Sequence, residues 1–141
     1  MHFTIEHLQG HHKRVATPED PASAPQGMTL LEFLPKTLAG SLLSAFKING
    51  PLTSLSLVAS FLFFSWAYYR NGLFSMVVAL IGGLGGVIVL EVINYIEHYG
   101  LRRKRLPDGT YEKVTIRHSW NAPHRFTNYL LYKLQRHSDH H

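Results

Sequence analysis

Two apolar runs of about 20 residues each, separated by three residues, restrict this chain to very few folds. The first covers 51–69 and includes Leu52, Leu55, Leu57, Val58, Phe61, Leu62, Phe63, Phe64 and Trp66. The second covers 73–97 and carries Val77, Val78, Leu80, Ile81, Val87, Ile88, Val89 and Leu90. Neither run has a polar stripe along most of its length, which argues against core helices of a water-soluble domain. At about 1.5 Å per residue, each covers roughly 30 Å of hydrocarbon. Arg70-Asn71-Gly72 between them has turn chemistry, and Trp66, Tyr68 and Tyr69 sit where an interfacial aromatic belt belongs. The expected architecture is an all-α membrane protein, a transmembrane helical hairpin with amphipathic and cytoplasmic helices, in one domain over 1–141.

A hairpin has a topological consequence: residues 1–50 and 98–141 must share one face of the bilayer. Of the 14 Lys and Arg, only Arg70 lies in the turn; the rest are in the two flanks, and Arg102-Arg103-Lys104-Arg105 directly follows the second run. The positive-inside rule therefore puts both flanks in the cytoplasm. The formal net charge of +5 invites a nucleic-acid reading, but no stacking platform or recognition helix accompanies it, so nucleic acid is not an expected partner. The chain has no cysteine, which excludes a disulfide or a thiolate-ligated metal within it.

What the hairpin gathers is histidine. One group is Glu6-His7-Leu8-Gln9-Gly10-His11-His12, a second is Arg136-His137-Ser138-Asp139-His140-His141, and His98 stands at the foot of the second run. His7, His11 and His12 are spaced i, i+4, i+5, and His137, His140 and His141 i, i+3, i+4, so each group aims at one target from a helix. A tetrahedral zinc site needs four ligands; seven imidazoles on one membrane face point to two metals. All-nitrogen donors favour iron, copper or zinc over magnesium or calcium. Glu6, Glu97 and Asp139 adjoin candidate ligands and are expected to orient imidazoles and offset charge. Glu91, Asn94 and His98 share one helix face, and ionisable groups inside a span usually face a protein interior. His2, His118 and His124 lack cluster spacing and are left out.

The connecting stretches complete the expectation. Val15 to Pro25 is a Pro-punctuated loop. Residues 28–47 read as an amphipathic helix, with Leu31, Leu34, Leu38, Leu42 and Ala45 at helical spacing and a bend at Pro35, lying on the membrane or packing against other helices. Leu106-Pro107-Asp108-Gly109-Thr110 is a turn, with a small hairpin around it. Asn121 is read as the cap of a last helix, with Phe126, Leu130, Leu134 and His137 along one face.

Glu6 to His12, Asn94-Tyr95-Ile96-Glu97-His98-Tyr99-Gly100-Leu101 and Leu134 to His141 closely resemble motifs of the integral-membrane alkane 1-monooxygenases, members of the desaturase-like histidine-box superfamily. His118-Ser119-Trp120-Asn121 and Ala16 to Ser23 resemble further stretches of the same family. The resemblance implies a bacterial cytoplasmic-membrane enzyme with a non-haem centre of two iron ions. It would hydroxylate medium-chain n-alkanes at the terminal carbon with O2, using electrons from rubredoxin and rubredoxin reductase. It carries the ligand roles to His7, His11, His12, His98, His137, His140 and His141. Leu84, Val87, Leu90 and Ile93 are candidate pocket walls. The family pattern begins with further spans and a His-Glu-x-x-x-His box that these residues lack, so the chain reads as part of a longer enzyme, inactive by itself. Xylene-type hydroxylation, acyl desaturation and redox-silent metal binding are the competing expectations.

Overall fold

A computed structural model describes residues 2–122, 124–130 and 136–139. Among the described residues the structure is helical, with no strand beyond two isolated bridges. A short α1 (His2–Glu6) passes into a π-helical turn (His7–His11) and then α2 (His12–Arg14). After a loop comes α3 (Leu30–His98), whose dihedrals break at Asn49 (φ −152°, ψ 82°) and Gly72 (φ 78°, ψ −174°). It is therefore three limbs, 30–48, 50–71 and 73–98. Beyond it lie a 3-10 turn (Ile116–His118), α4 (Arg125–Leu130) and a 3-10 turn (His137–Asp139).

Each break has a local cause. Thr29 and Glu32 form a reciprocal capping box that starts the first limb. At Pro35 the dihedrals stay helical, and the carbonyl that Pro35 leaves without an N–H belongs to exposed Leu31. The interruption falls instead at Asn49, whose Oδ1 accepts the Leu52 N–H at 3.1 Å and caps the second limb. Gly72 takes a positive φ that a side chain resists, and the chain reverses there. Phe64 then reaches to 4.0 Å of the point where a Cβ on Gly83 would sit, so the second and third limbs run antiparallel in contact. The first limb also lies antiparallel on the third: Phe33 packs on Tyr95 (5.3 Å between ring centres), and the Thr37 hydroxyl donates to Glu91 Oε2 at 2.7 Å.

This is an all-α membrane protein, and its burial pattern is inverted relative to a soluble one. The buried side chains of α3 include Thr37, Ser44, Thr53, Ser56, Glu91 and Asn94, while Phe61, Leu62, Ile81 and Leu84 are each 59–70% exposed. The most apolar 18-residue stretch of α3 has a mean hydropathy of 2.5 and none of it is buried. Where lipid is the solvent, polar groups turn inward to find partners. On 28–47 the stripe divides: Leu31 is 83% exposed, as suits a face turned to lipid, while Ala45 is buried with Phe33, Thr37 and Ser44 on the packed side.

Loop 15–29 locks the first limb to the foot of the third. Gly40 has no side chain because Pro21 lies where one would be, 2.6 Å from a Cβ. The Gly100 N–H donates to the Ala24 carbonyl, the Gly27 N–H to the Tyr99 hydroxyl, and the Tyr95 hydroxyl to the Met28 carbonyl, all at 2.8–2.9 Å. After α3, the expected small hairpin is present as an antiparallel bridge between Arg105 and Tyr111, with the Leu106 N–H on the Thr110 carbonyl (2.7 Å) and the Glu112 N–H on the Lys104 carbonyl (3.0 Å).

Candidate metal centre

The site is assembled from three stretches remote in sequence. The π turn brings the first. Its widened register gives an i to i+5 bond, from the His12 N–H to the His7 carbonyl. That register sets His12 edge-on to His7, with ring centres 4.6 Å apart and Nε2 atoms 3.2 Å apart. In an ordinary α-helix the two rings would diverge. His11, one step earlier, turns inward and is 1% exposed. Gly10 leaves room within the turn: a Cβ there would meet the Glu6 carboxylate, because the Glu6–Arg14 ion pair crosses over it.

The other two stretches meet His11 from below. Ring centres of His11 and His98 are 4.8 Å apart, those of His98 and His137 also 4.8 Å, and those of His11 and His137 6.5 Å. His98 and His137 present Nε2 to Nε2 at 3.1 Å. One ligand-capable atom from each of His11, His98 and His137 lies within 4.8 Å of the others, and all three residues are buried. Five imidazoles thus form two facing pairs, His7 with His12 and His98 with His137. His11 stands between them, its ring centre 5.4 Å from that of His7 and 6.0 Å from that of His12. His140 and His141 lie outside the described residues.

The opposite edge of each inner ring faces oxygen. His11 Nδ1 donates to Asp20 Oδ2 at 2.8 Å. His98 Nδ1 donates to the His118 carbonyl at 3.1 Å. His137 Nδ1 lies 3.0 Å from Glu97 Oε2. A ring whose Nδ1 carries the proton presents a lone pair at Nε2. His11 and His98 can thus turn such lone pairs into a buried space shared with His137, whose Nε2 lies 3.1 Å from that of His98. Three buried imidazoles with ligand-capable atoms within 4.8 Å of one another fit a metal. Imidazoles backed by carboxylate or carbonyl are the usual arrangement of metal-ligating histidines.

Asp20 was not among the residues singled out from the sequence. It is fully buried, and beyond His11 it accepts from the Ser23 hydroxyl (2.6 Å) and the Ala22 N–H (3.1 Å). Burial pushes its carboxyl up, but the charge and hydrogen bond of His11, with those from Ser23 and Ala22, outweigh burial and hold it below its ordinary value. The available signal was an acid flanked by Pro18 and Pro21 in the loop that follows the first histidines. The loop is strained to reach: Ala16 has φ 58°, with its N–H held by Ser23 Oγ and its carbonyl by the Arg103 N–H.

The acids named from the sequence take different places. Glu97 adjoins His98 in sequence yet serves His137. Glu6 faces away from the rings: Arg14 Nη2 donates to its Oε1 at 2.8 Å and the Ser44 hydroxyl to its Oε2 at 2.6 Å, tying the π turn to the first limb. Burial raises the Glu6 carboxyl against the pull of Ser44 and Arg14. Glu91 accepts from Thr37 and from Asn94 Nδ2 (3.3 Å), binding limb to limb. The side chain of Asp139 lies outside the described residues. Asn121 does not cap α4, which starts at Arg125; it pairs with Arg136 and clamps the third histidine stretch. Its Nδ2 donates to Ser138 Oγ at 2.7 Å and its Oδ1 accepts the Ser138 N–H at 3.0 Å. His137 accordingly sits on a 3-10 turn rather than on a continuation of the α4 face.

A family model described as fatty acid desaturase matches residues 1–141. The chain belongs to the fatty acid desaturase family. Within it, the chain is 44% identical to an alkane 1-monooxygenase of Acinetobacter baylyi, over 99% of this chain and 38% of that protein. It is 39% identical to alkane 1-monooxygenase 1 of Pseudomonas aeruginosa, over 99% of this chain and 40% of the relative. A xylene/toluene monooxygenase hydroxylase component of Pseudomonas putida is 24% identical over 97% of this chain. The chain spans about two fifths of the length of the curated relatives it matches. A histidine cluster with metal-binding geometry accords with this desaturase family membership.

Proposed function

We propose that these residues form part of a non-haem di-iron centre that hydroxylates medium-chain n-alkanes at the terminal methyl group. The observation that carries this is the pairing of five imidazoles from three stretches, Nε2 to Nε2, with His11 between the pairs. Two facing pairs suit two metals better than one. The ligand set is His7, His11, His12, His98 and His137, joined by His140 and His141. The bound irons would supply activation of O2 and the oxidising power for the C–H bond. Similarity to alkane 1-monooxygenases supports the alkane as substrate.

The chain's own residues do the rest. Asp20, Glu97 and the His118 carbonyl fix the tautomers that aim Nε2 inward. An apolar cavity of about 160 Å³ lies between the first and third limbs, lined by Phe3, Leu38, Ser41, Val87, Leu90 and Glu91. Phe3 stacks on His7 at 5.1 Å, so this cavity adjoins the histidines and supplies an apolar wall for an alkyl chain. Residues 51–69 and 73–97 cross the bacterial cytoplasmic membrane, with the histidines on the cytoplasmic side. Rubredoxin, reduced by rubredoxin reductase, provides the electrons.

The test is His98→Ala and His137→Ala in the complete enzyme. Both should lower bound iron and abolish conversion of octane to 1-octanol. Unchanged iron content and turnover in both would refute the ligand assignment. Similarity to a xylene/toluene monooxygenase component supports a second reading, an aromatic methyl group as substrate; assaying octane and xylene side by side separates the two.

A further inference from the structure

Loop 15–29 closes a cavity of about 230 Å³ over the start of the first limb, with Thr17, Ser23, Pro25, Met28, Lys36 and Arg102 among its walls. Two of these residues are cations without an anion. Lys36 is half-buried, and its ammonium donates to the Ser23 carbonyl at 2.9 Å, which uses one of three donors. Burial pulls that ammonium below its ordinary value of 10.5, against the charge of Asp20. Asp20 itself does not pair with Lys36, because its oxygens are taken by His11, Ser23 and Ala22. Arg102 is exposed at the rim and, among the described residues, makes no hydrogen bond or ion pair. Its neighbour Arg103 differs, for that guanidinium is bound to the carbonyls of Glu112 (2.6 Å) and Lys13 (2.9 Å). A half-buried charge is costly unless it is paired, so a cavity that gathers two cations calls for an anion.

The level of the cavity identifies that anion. Lys36 adjoins Thr37, which bonds Glu91 near the end of the third limb. Phe33, Tyr95 and Tyr99 form an aromatic cluster at the same end, with ring centres 5.3 Å and 5.2 Å apart along the row. Aromatic belts mark the headgroup layer of a bilayer. Leu31, at 83% exposure, starts the lipid-facing side of the same limb. At this depth the abundant anion is the phosphate of a phospholipid. A zwitterionic headgroup brings its own cation toward Lys36 and Arg102, whereas a headgroup of net negative charge does not. We propose that this cavity binds the phosphate of an anionic phospholipid, gripped between Lys36 and Arg102. Ser23 joins the cavity to the histidines: its carbonyl accepts from Lys36, and its hydroxyl donates to Asp20, which holds His11. Ala16, on the cavity wall, is kept at φ 58° with its N–H on Ser23 Oγ. A bound phosphate therefore braces the loop that positions His11.

The experiment places the complete enzyme in nanodiscs of equal phosphatidylglycerol and phosphatidylcholine, and native mass spectrometry reads the ratio of the two lipids retained on release. Neither iron nor turnover enters the readout, so its failure leaves the hydroxylase reading untouched. The wild type should favour phosphatidylglycerol about tenfold. Lys36→Gln/Arg102→Gln should show less than about a twofold preference. Arg102→Gln alone, which has no protein bond to lose and so spares the fold, should reduce the preference about threefold. Lys104→Gln/Lys113→Gln removes two charges outside the cavity and should behave as the wild type. An unchanged preference in both cavity variants overturns the site, and an equal loss in the Lys104/Lys113 control overturns it in favour of diffuse surface charge. Excess inorganic phosphate should leave the lipid in place; displacement overturns a lipid as the source of the phosphate. Hydrogen exchange at the Ala16 and Ser23 amides should slow in phosphatidylglycerol, and equal exchange in both lipids overturns the bracing of the loop.

Discussion

Asp20→Asn tests whether a carboxylate outside the histidine stretches sets the affinity of the centre. Asp20 and His11 are 0% and 1% exposed, and their contact is 2.8 Å. Asparagine keeps the shape and removes the charge. A hydrogen bond to a charged group contributes about 1.5–3 kcal/mol, against about 1 kcal/mol for a neutral one. The substitution thus removes on the order of 1–2 kcal/mol of support for a His11 ring that carries its proton on Nδ1, about a tenfold change in an equilibrium constant. If the amide also presents its NH2 to the ring, the proton moves to Nε2 and the lone pair aimed at the metal is lost. The combined expectation is a 10- to 100-fold weaker hold on iron. The assay is Fe(II) affinity of the complete enzyme by competition with a chelator. Ser23→Ala, which removes a donor to Asp20 but leaves its charge, should cost less. Iron affinity in Asp20→Asn within twofold of wild type, with the apoprotein melting unchanged, would refute the argument that Asp20 positions His11.

Other changes follow from the same geometry. Gly10→Ala drives a methyl into the Glu6–Arg14 pair and should destabilise by about 1–3 kcal/mol, read as a lower melting temperature and less bound iron. Asn121→Ala removes both bonds to Ser138; hydrogen exchange at the Ser138 amide should accelerate and iron affinity fall, while α3 is unaffected. Thr37→Val leaves Glu91 without its 2.7 Å donor and should cost about 0.6 kcal/mol, at most about 2, in unfolding from detergent. The Glu32 carboxyl is held below its ordinary value of 4.5 by the N–H and hydroxyl of Thr29. Its contribution to the start of α3 is present above pH 4.5 and is lost as pH falls through the depressed value. Amide exchange at Glu32 should therefore quicken only at acid pH, and Glu32→Gln should flatten that profile.

The meeting of His7, His11 and His12 with His98 and His137 was legible because a hairpin leaves its two flanks no choice of side. Family membership was legible in contiguous motifs such as Asn94 to Leu101. Three features were not. The stripe Leu31, Leu34, Leu38, Leu42 and Ala45 suits a helix lying on lipid as well as one packed on other helices, and it does not reveal that Thr37 and Ser44 are packed beside Ala45. The spacing of His7 and His12 was read on an α-helical wheel, and only the π register explains why they face each other. Asp20 and Asn121 act across the chain on His11 and Ser138, and no local periodicity records a partner that distant.

The pairing of His98 with His137 crosses 39 residues, and the first histidines lie further still from both. Drawing such distant points together costs chain entropy that nothing local repays. The ring that His98 awaits also follows the apolar limbs in the chain, so it is synthesised after they can enter the bilayer. Ion capture would thus fasten segments that the chain alone leaves apart, and cells short of iron should accumulate a membrane-inserted form whose histidine stretches stay open to proteases.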